Sequence, residues 1–381
     1  MLKKIWSTGV SGWVLGLALF AASGGLLAQQ GNVIKLGQTT QLSGPLASLG
    51  TEYRDGAQAY FRWVNSKGGV HGRRIELVSL DDAYVVDKTL ENTRKLIDDE
   101  KVLALFGISG SANYAAVMPL IEERAVPSVA PFTGADDLRA QKSPQTFWLR
   151  ASYGDETEKI VEQLTTMGIK RIAVFYQNDA FGKTGLNGVE TALKKRKLAV
   201  HALGIYDKTK NDVGDAVKAI GASDAQAVVM ISTYKPTAAF VKQMRIAGHV
   251  PQFFALSVVG YKGLQAELGK EAAGIAISQV VPYPWSSSSL LVREFEALPA
   301  EMVPKAGITY TTFEGFIAAK VMVEGLRRAG PQLSREKLVG ALESMRLYDA
   351  GGFTVGYSQN EHLGSHFAEV TIVGNSGRLM R

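Results

Sequence analysis

The chain contains no cysteine, which removes disulfides, thiolate metal sites, a cysteine nucleophile and a lipidated cysteine anchor from consideration. Histidine is scarce too, with 5 residues in 381, so imidazole chemistry has few places to sit. Charge of either sign is not in large excess: 42 Lys and Arg face 36 Asp and Glu. The one dense basic run, Lys194 to Lys197, falls at the end of a helical pattern, where cations are favoured by the helix dipole. It reads as a solvated helix terminus, and no nucleic-acid partner is expected.

What is present begins with an export signal. Lys3 and Lys4 precede Val10 to Leu27, which is apolar or small apart from Ser11 and Ser23, and cleavage is expected near Ala28. An uncleaved anchor is the competing reading, because about eighteen such residues nearly span a bilayer. The many Gly and Ala residues and the following Gln-Gln-Gly-Asn favour removal of residues 1–28. The roughly 350 residues that remain exceed one comfortable core, so two domains are expected.

Val102 to Ala135 organises the rest. An apolar run, Val102 to Phe106, leads into the small-residue loop Gly107 to Ala112. A helical pattern from Asn113 to Arg124, a second apolar run from Val126 to Ala130 and the loop Pro131 to Ala135 follow. Two strands joined by one helical crossover run parallel, so both loops open at the same sheet edge, where open α/β sheets bind ligands. Ser109, Ser111 and Thr133, the N–H groups around Gly110 and Gly134 and a helix N-terminus together suit a carboxylate or another small anion.

The same grammar covers the chain on both sides. Strands are expected at Val33 to Gly37 and Arg74 to Leu80, with helices at Thr51 to Asn65 and Asp87 to Asp99. After a short strand, Thr146 to Arg150, the alternation restarts. Strands fall at Arg171 to Tyr176, Leu198 to Ile205, Ala227 to Ile231, Gln252 to Leu256 and Ile275 to Val281, with helices between them. Helices then fill Leu290 to Leu298, Thr309 to Ala329 and Ser334 to Ser344, and short strands the tail.

These pieces, in this order, resemble the periplasmic solute-binding proteins of the leucine/isoleucine/valine-binding family. The resemblance is carried by IKLGQTTQLSGPLASLG, VNSKGGVHGRRIELVSLDDA, FGISGSA followed by VPSVAPFTGADDL, FWLRASYGDE, RIAVFYQNDAFGKTGL and TYTTFEGFIAAKVMVEGL, and it spans nearly all of the mature chain. It implies an α/β fold of two doubly wound, Rossmann-like lobes joined by a three-strand hinge. Residues 32–150 plus 282–350 would form lobe 1 and residues 151–281 plus 351–381 lobe 2. It further implies a periplasmic, non-enzymatic, monomeric component of an ABC importer that delivers its ligand to a membrane permease, with no cofactor and no metal.

Carried over residue by residue, the resemblance places Ser111 on a ligand carboxylate, with Phe132, Thr133, Gly134 and Ala135 from the next loop. Tyr153, Phe181 and Tyr234 would cover the ligand from the second lobe, and Leu49 stands where the family often has an aromatic. The ligand would be a small carboxylate, a hydrophobic amino acid or an aromatic or aliphatic acid. Ser257 replaces the carboxylate that pairs a ligand ammonium, which favours the acid without that group, because a buried unpaired ammonium is costly. Tyr84 and Gly110 stand where typical members join two cysteines, so the fold should need no covalent tie. Tyr153 and Tyr234 are both expected in loops.

Three other readings compete. Gly107 to Ser111 (GISGS) departs from a hydrolase elbow only at its last position, which makes Ser109 a candidate nucleophile, but no histidine among His201, His249, His362 and His366 is placed as its base. FGKTG at Phe181 to Gly185 lacks the first glycine of a phosphate loop, since Gln177 stands there. His362 and His366 are four apart in strand-like surroundings and read as surface residues, not metal ligands. A sensor of the same fold is the alternative to transport.

Overall fold

The computed structural model describes residues 33–210 and 212–381, and the export signal read at residues 1–28 lies outside the described residues. A first parallel sheet holds β1 (Val33–Thr40), β2 (Arg74–Asp81), β3 (Ala104–Phe106), β4 (Ser128–Val129) and β5 (Thr146–Phe147) in the order β2-β1-β3-β4-β5. Its crossovers are α1 (Ala47–Ser66), α2 (Val86–Asp98), α3 (Ser111–Glu123) and the single turn α4 (Asp136–Arg139).

The second sheet begins after α5 (Tyr153–Thr166). It takes β6 (Ile172–Gln177), β7 (Leu203–Tyr206), β8 (Ala227–Ile231), β9 (Gln252–Ala255) and β10 (Ala276–Gln279), interleaved with α6 (Ala180–Lys195), α7 (Gly214–Gly221), α8 (Tyr234–Ile246) and α9 (Tyr261–Leu268). The chain then returns to the first sheet as α10 (Leu290–Glu296), α11 (Tyr310–Ala329) and α12 (Arg335–Glu343), and makes a small hairpin from β11 (Tyr348–Asp349) and β12 (Thr354–Val355). It ends as β13 (Glu369–Val373) and β14 (Leu379–Met380), which complete the order β14-β13-β10-β9-β8-β6-β7.

Strand composition accounts for this layering. Residues of β8 (AVVMI) are buried throughout, as a strand covered on both faces must be. Behind it, Phe175 stacks on Phe240 at 4.2 Å, joining β6 to α8. In the first lobe, α1 and α11 touch through their backbones. A Cβ at Gly56 would stand 1.9 Å from the Thr312 carbonyl oxygen, and one at Gly315 2.0 Å from that of Tyr53. No side chain fits at either place, so these two glycines set how closely the helices approach.

In each sheet the strand order reverses beside a central strand, between β1 and β3 in the first and between β6 and β8 in the second. Loops at the carboxyl ends of these strands diverge there and leave a crevice. The two crevices face each other, because the chain passes between the sheets three times, at residues 148–152, 280–289 and 365–368.

Several boundaries differ from expectation. The tail was assigned to lobe 2 from residue 351, yet the Trp148 N–H donates to the His362 carbonyl at 2.9 Å and the Gly364 N–H to that of Trp148 at 2.8 Å. Residues 351–364 therefore stay with the first sheet, and the crossing falls at 365–368. The strand expected at Leu198 to Ile205 shrinks to β7, because only its second half pairs with β6. Thr146 to Arg150 pairs with β4 only over its first two residues, Trp148 bridging to Leu363 instead, and α9 was not anticipated.

Candidate ligand-binding site

α3 begins at Ser111, two residues earlier than the periodicity indicated, and Gly110 precedes it at φ +95°, a conformation suited to glycine. No side chain caps this end, so the first-turn N–H groups and the positive end of the helix dipole are directed into the space between the lobes. Ser111 Oγ and Thr133 Oγ1 lie 2.8 Å apart, and both residues are buried. Two hydroxyls from two loops thus meet at one helix N-terminus, an arrangement that can donate to a carboxylate.

A small cavity of about 20 Å³ marks this place. Among the expected residues, Leu49, Ser111, Phe132, Tyr153 and Phe181 line it. Tyr153 and Phe181 make an edge-to-face pair with centroids 5.3 Å apart, which forms an apolar wall. Burial raises the Tyr153 phenol pKa, against the opposing pull of Arg150, so the ring is neutral. Roomier hollows of about 810 and 680 Å³ lie along residues 340–361 and between residues 136–155 and 359–366. They lie outside the meeting point of the two crevices, so volume alone does not locate the site.

The remaining expected residues stand behind or beside the cavity. Thr133 stands behind the cavity wall, its hydroxyl bonded to that of Ser111. Gly134 lies under the Tyr153 ring, where a Cβ would come within 2.6 Å, and its carbonyl accepts from the Tyr153 N–H at 2.7 Å. The Ala135 N–H, expected to face the ligand, instead donates to Thr133 Oγ1 at 3.3 Å. Tyr234 crosses the cleft and donates its hydroxyl to the Pro45 carbonyl. Tyr153 and Tyr234 are not loop residues: each opens a helix, α5 after the Ser152 capping box and α8 after Thr233.

Ser257 belongs to a buried charged cluster. Its N–H and hydroxyl donate to the Glu156 carboxylate at 2.8 and 3.0 Å, Ser278 donates to the same carboxylate at 2.5 Å, and Arg150 donates to the Ser257 hydroxyl. Arg150 is 1% exposed, stands 3.6 Å from Glu156 and 3.7 Å from Glu314, and lies over the Phe132 ring at 4.8 Å. Burial lowers the Arg150 pKa and the two carboxylates raise it by more, so it stays cationic. Burial lifts Glu314 to about 7, with Arg150 opposing and Glu156 adding to the rise.

Gly110, whose N–H was expected at the anion site, lines the cavity, whereas residue-type reasoning passed over Gln41, Leu46, Tyr84, Thr233 and Val258 as cavity walls. Only the sheet-edge rule could have found them, since each follows a strand or opens a helix. Ser109 also lines the cavity. Four of the five histidines bond elsewhere: His71 to the Arg327 carbonyl, His201 to Ser223 and Asp224, His362 to Thr146 and Glu343, and His366 to Asp155. His362 also stacks on Phe147. At the FGKTG segment, Asp179 caps α6 and Gly182 approaches the Gln177 backbone, as a tight turn requires.

Two doubly wound lobes that meet over a small polar and aromatic cleft define a two-lobed binding protein. The chain belongs to the periplasmic binding protein family, whose model matches residues 33–378. It is 37% identical to a substrate-binding periplasmic protein from Ralstonia solanacearum, over 91% of this chain and 99% of that one, with a TM-score of 0.86. A Rhodopirellula baltica structure described as a "possible leucine/isoleucine/valine-binding protein" gives 30% identity and a TM-score of 0.88, over 92% and 97% of the two chains. Leu/Ile/Val-binding protein homolog 7 of Brucella abortus is 25% identical over 318 residues, 77% of each chain.

Proposed function

We propose that this chain is the extracytoplasmic solute-binding component of an ABC importer, and that it holds a small carboxylate with an apolar body between its lobes. The observation that carries the reading is the Ser111–Thr133 hydroxyl pair at the uncapped N-terminus of α3, faced by Phe132, Tyr153 and Phe181. The hydroxyls and helix dipole would take the anionic end and the rings the body. The names of the relatives, a substrate-binding periplasmic protein and Leu/Ile/Val-binding proteins, support a periplasmic binding role and a small carboxylate.

The cavity, about 20 Å³, is far below the roughly 300 Å³ or more of an ordinary ligand pocket. Entry therefore requires the lobes to part about the three crossings, which couples binding to closure.

The charge cluster supports a ligand without an ammonium. The one carboxylate beside Ser257, that of Glu156, already accepts three hydrogen bonds and faces Arg150. An ammonium placed there would meet a guanidinium and no free acceptor. Calorimetry with benzoate, 3-phenylpropanoate, hexanoate and leucine tests this: carboxylates without the amine bind, and leucine binds at least tenfold more weakly. Tight leucine binding with no response to the other acids defeats the reading and returns the chain to the specificity its relatives' names suggest.

A further inference from the structure

We propose that Tyr84 and Lys208 form a clasp between the lobes: Tyr84 is a wall of the ligand site, and Lys208 closes over its ring when the lobes come together. This rests on the cleft proposed above and adds to it a residue that no charge or hydroxyl argument selects.

The backbone is built to aim this ring. Ala83 and Tyr84 stand at φ +49° and +64°, two consecutive non-glycine residues in the left-handed region, a strain that persists only where neighbours enforce it. Asp81 and Asp82 enforce it by accepting the Ala83 and Tyr84 N–H groups, each at 2.9 Å. Asp82 is itself buried and held by Thr39 and Thr89. Across the gap, a Cβ on Gly110 would lie 2.7 Å from the Tyr84 ring. The ring therefore packs against the serine loop only because that residue is glycine.

The partner comes from the other lobe. Lys208, in the loop after β7, places Nζ 4.5 Å from the Tyr84 ring centroid, within the range of a cation–π contact. Asp179, the N-cap of α6, holds this ammonium at 3.3 Å and accepts from Gln177 at 2.6 Å. Two other contacts span the same seam, Thr184 to Asp137 and Tyr234 to Pro45. Of the three, only Tyr84 and Lys208 join a cavity wall to a charge, so parting the lobes strips the ammonium from a face that the ligand also touches.

The test is a double-mutant cycle on benzoate affinity by calorimetry, with closure followed by spin-label distances between the lobes. Tyr84→Ala and Lys208→Met should each weaken binding about three- to fivefold, as loss of an exposed cation–π pair predicts. The double variant should be no weaker than the weaker single one, and Tyr84→Phe, which keeps the ring face, should lose less than Tyr84→Ala. Additive losses, or a Tyr84→Phe loss equal to that of Tyr84→Ala, overturn the clasp. Ser111→Ala with Thr133→Ala separates the two readings: retained affinity there defeats the anion site while the cycle still reports on the clasp. If the parent takes none of the carboxylates, the cycle is read on thermal unfolding of the protein alone, where the same non-additivity is expected and its absence again overturns the pair.

Discussion

Glu314→Gln should change how stability depends on pH more than it changes stability itself. Glu314 sits on α11 with 5% of its surface exposed, its carboxylate 3.7 Å from Arg150 Nη1. Burial lifts its pKa from 4.5 to about 7, Arg150 opposing and Glu156 assisting. A folded-state pKa above the unfolded value means that the native state holds the proton more tightly. The contribution is therefore complete below pH about 4.5 and is lost as pH rises through about 7. At about 1.36 kcal/mol per pKa unit, this rise sets a ceiling near 3 kcal/mol. Glutamine keeps the shape of the protonated acid and cannot ionise. Urea unfolding at steps between pH about 4.5 and 8.5 should show the variant gaining on the parent by up to about 3 kcal/mol as pH rises. A difference that is flat with pH, or one that moves the other way, refutes the assignment of a buried, proton-holding Glu314.

Other substitutions probe the rest of the account. Arg150→Met leaves Glu156 and Glu314 buried without their cation and should cost about 3–5 kcal/mol in urea unfolding, partly restored by adding Glu314→Gln. Gly56→Ala places a methyl carbon 1.9 Å from the Thr312 carbonyl oxygen, and the forced separation of α1 from α11 should cost at least about 1–3 kcal/mol. Ser111→Ala combined with Thr133→Ala should lose roughly 1.5–3 kcal/mol of binding per hydroxyl lost from a charged partner, read by calorimetry. Its melting temperature should fall by only a few degrees.

The alternation of strand and helix was legible because it is a local pattern: Ala227 to Ile231 was placed to the residue, and the loops around Ser111 and Thr133 were placed at one sheet edge from the parallel-strand rule. Pairing is not local, which is why Leu198 to Ile205 was read too long and residues 351–364 were placed with the wrong lobe. α9 was missed because Tyr261 to Leu268 is short and carries an internal glycine, Gly263, which weakens the periodic signal. Ser257 shows the limit most clearly. Its type and its position in the resemblance indicated that a charge was missing, but its partners Arg150 and Glu156 come from a crossing segment and α5, with Ser278 of β10 sharing the Glu156 carboxylate, and only the fold assembles them. Tyr84 was read as a lost cysteine, because nothing in the residues DDAY declares that two aspartates will hold the ring upright.

The central claim is that Ser111, Thr133 and the N-terminus of α3 hold a carboxylate while the far end of the cleft offers an ammonium no acceptor. Calorimetric titration of benzoate and leucine into the parent and into the Ser111→Ala, Thr133→Ala variant tests this most directly. The account predicts that the parent prefers benzoate by at least tenfold and that the variant loses it. Leucine preferred by the parent, or benzoate held equally by both proteins, would contradict it.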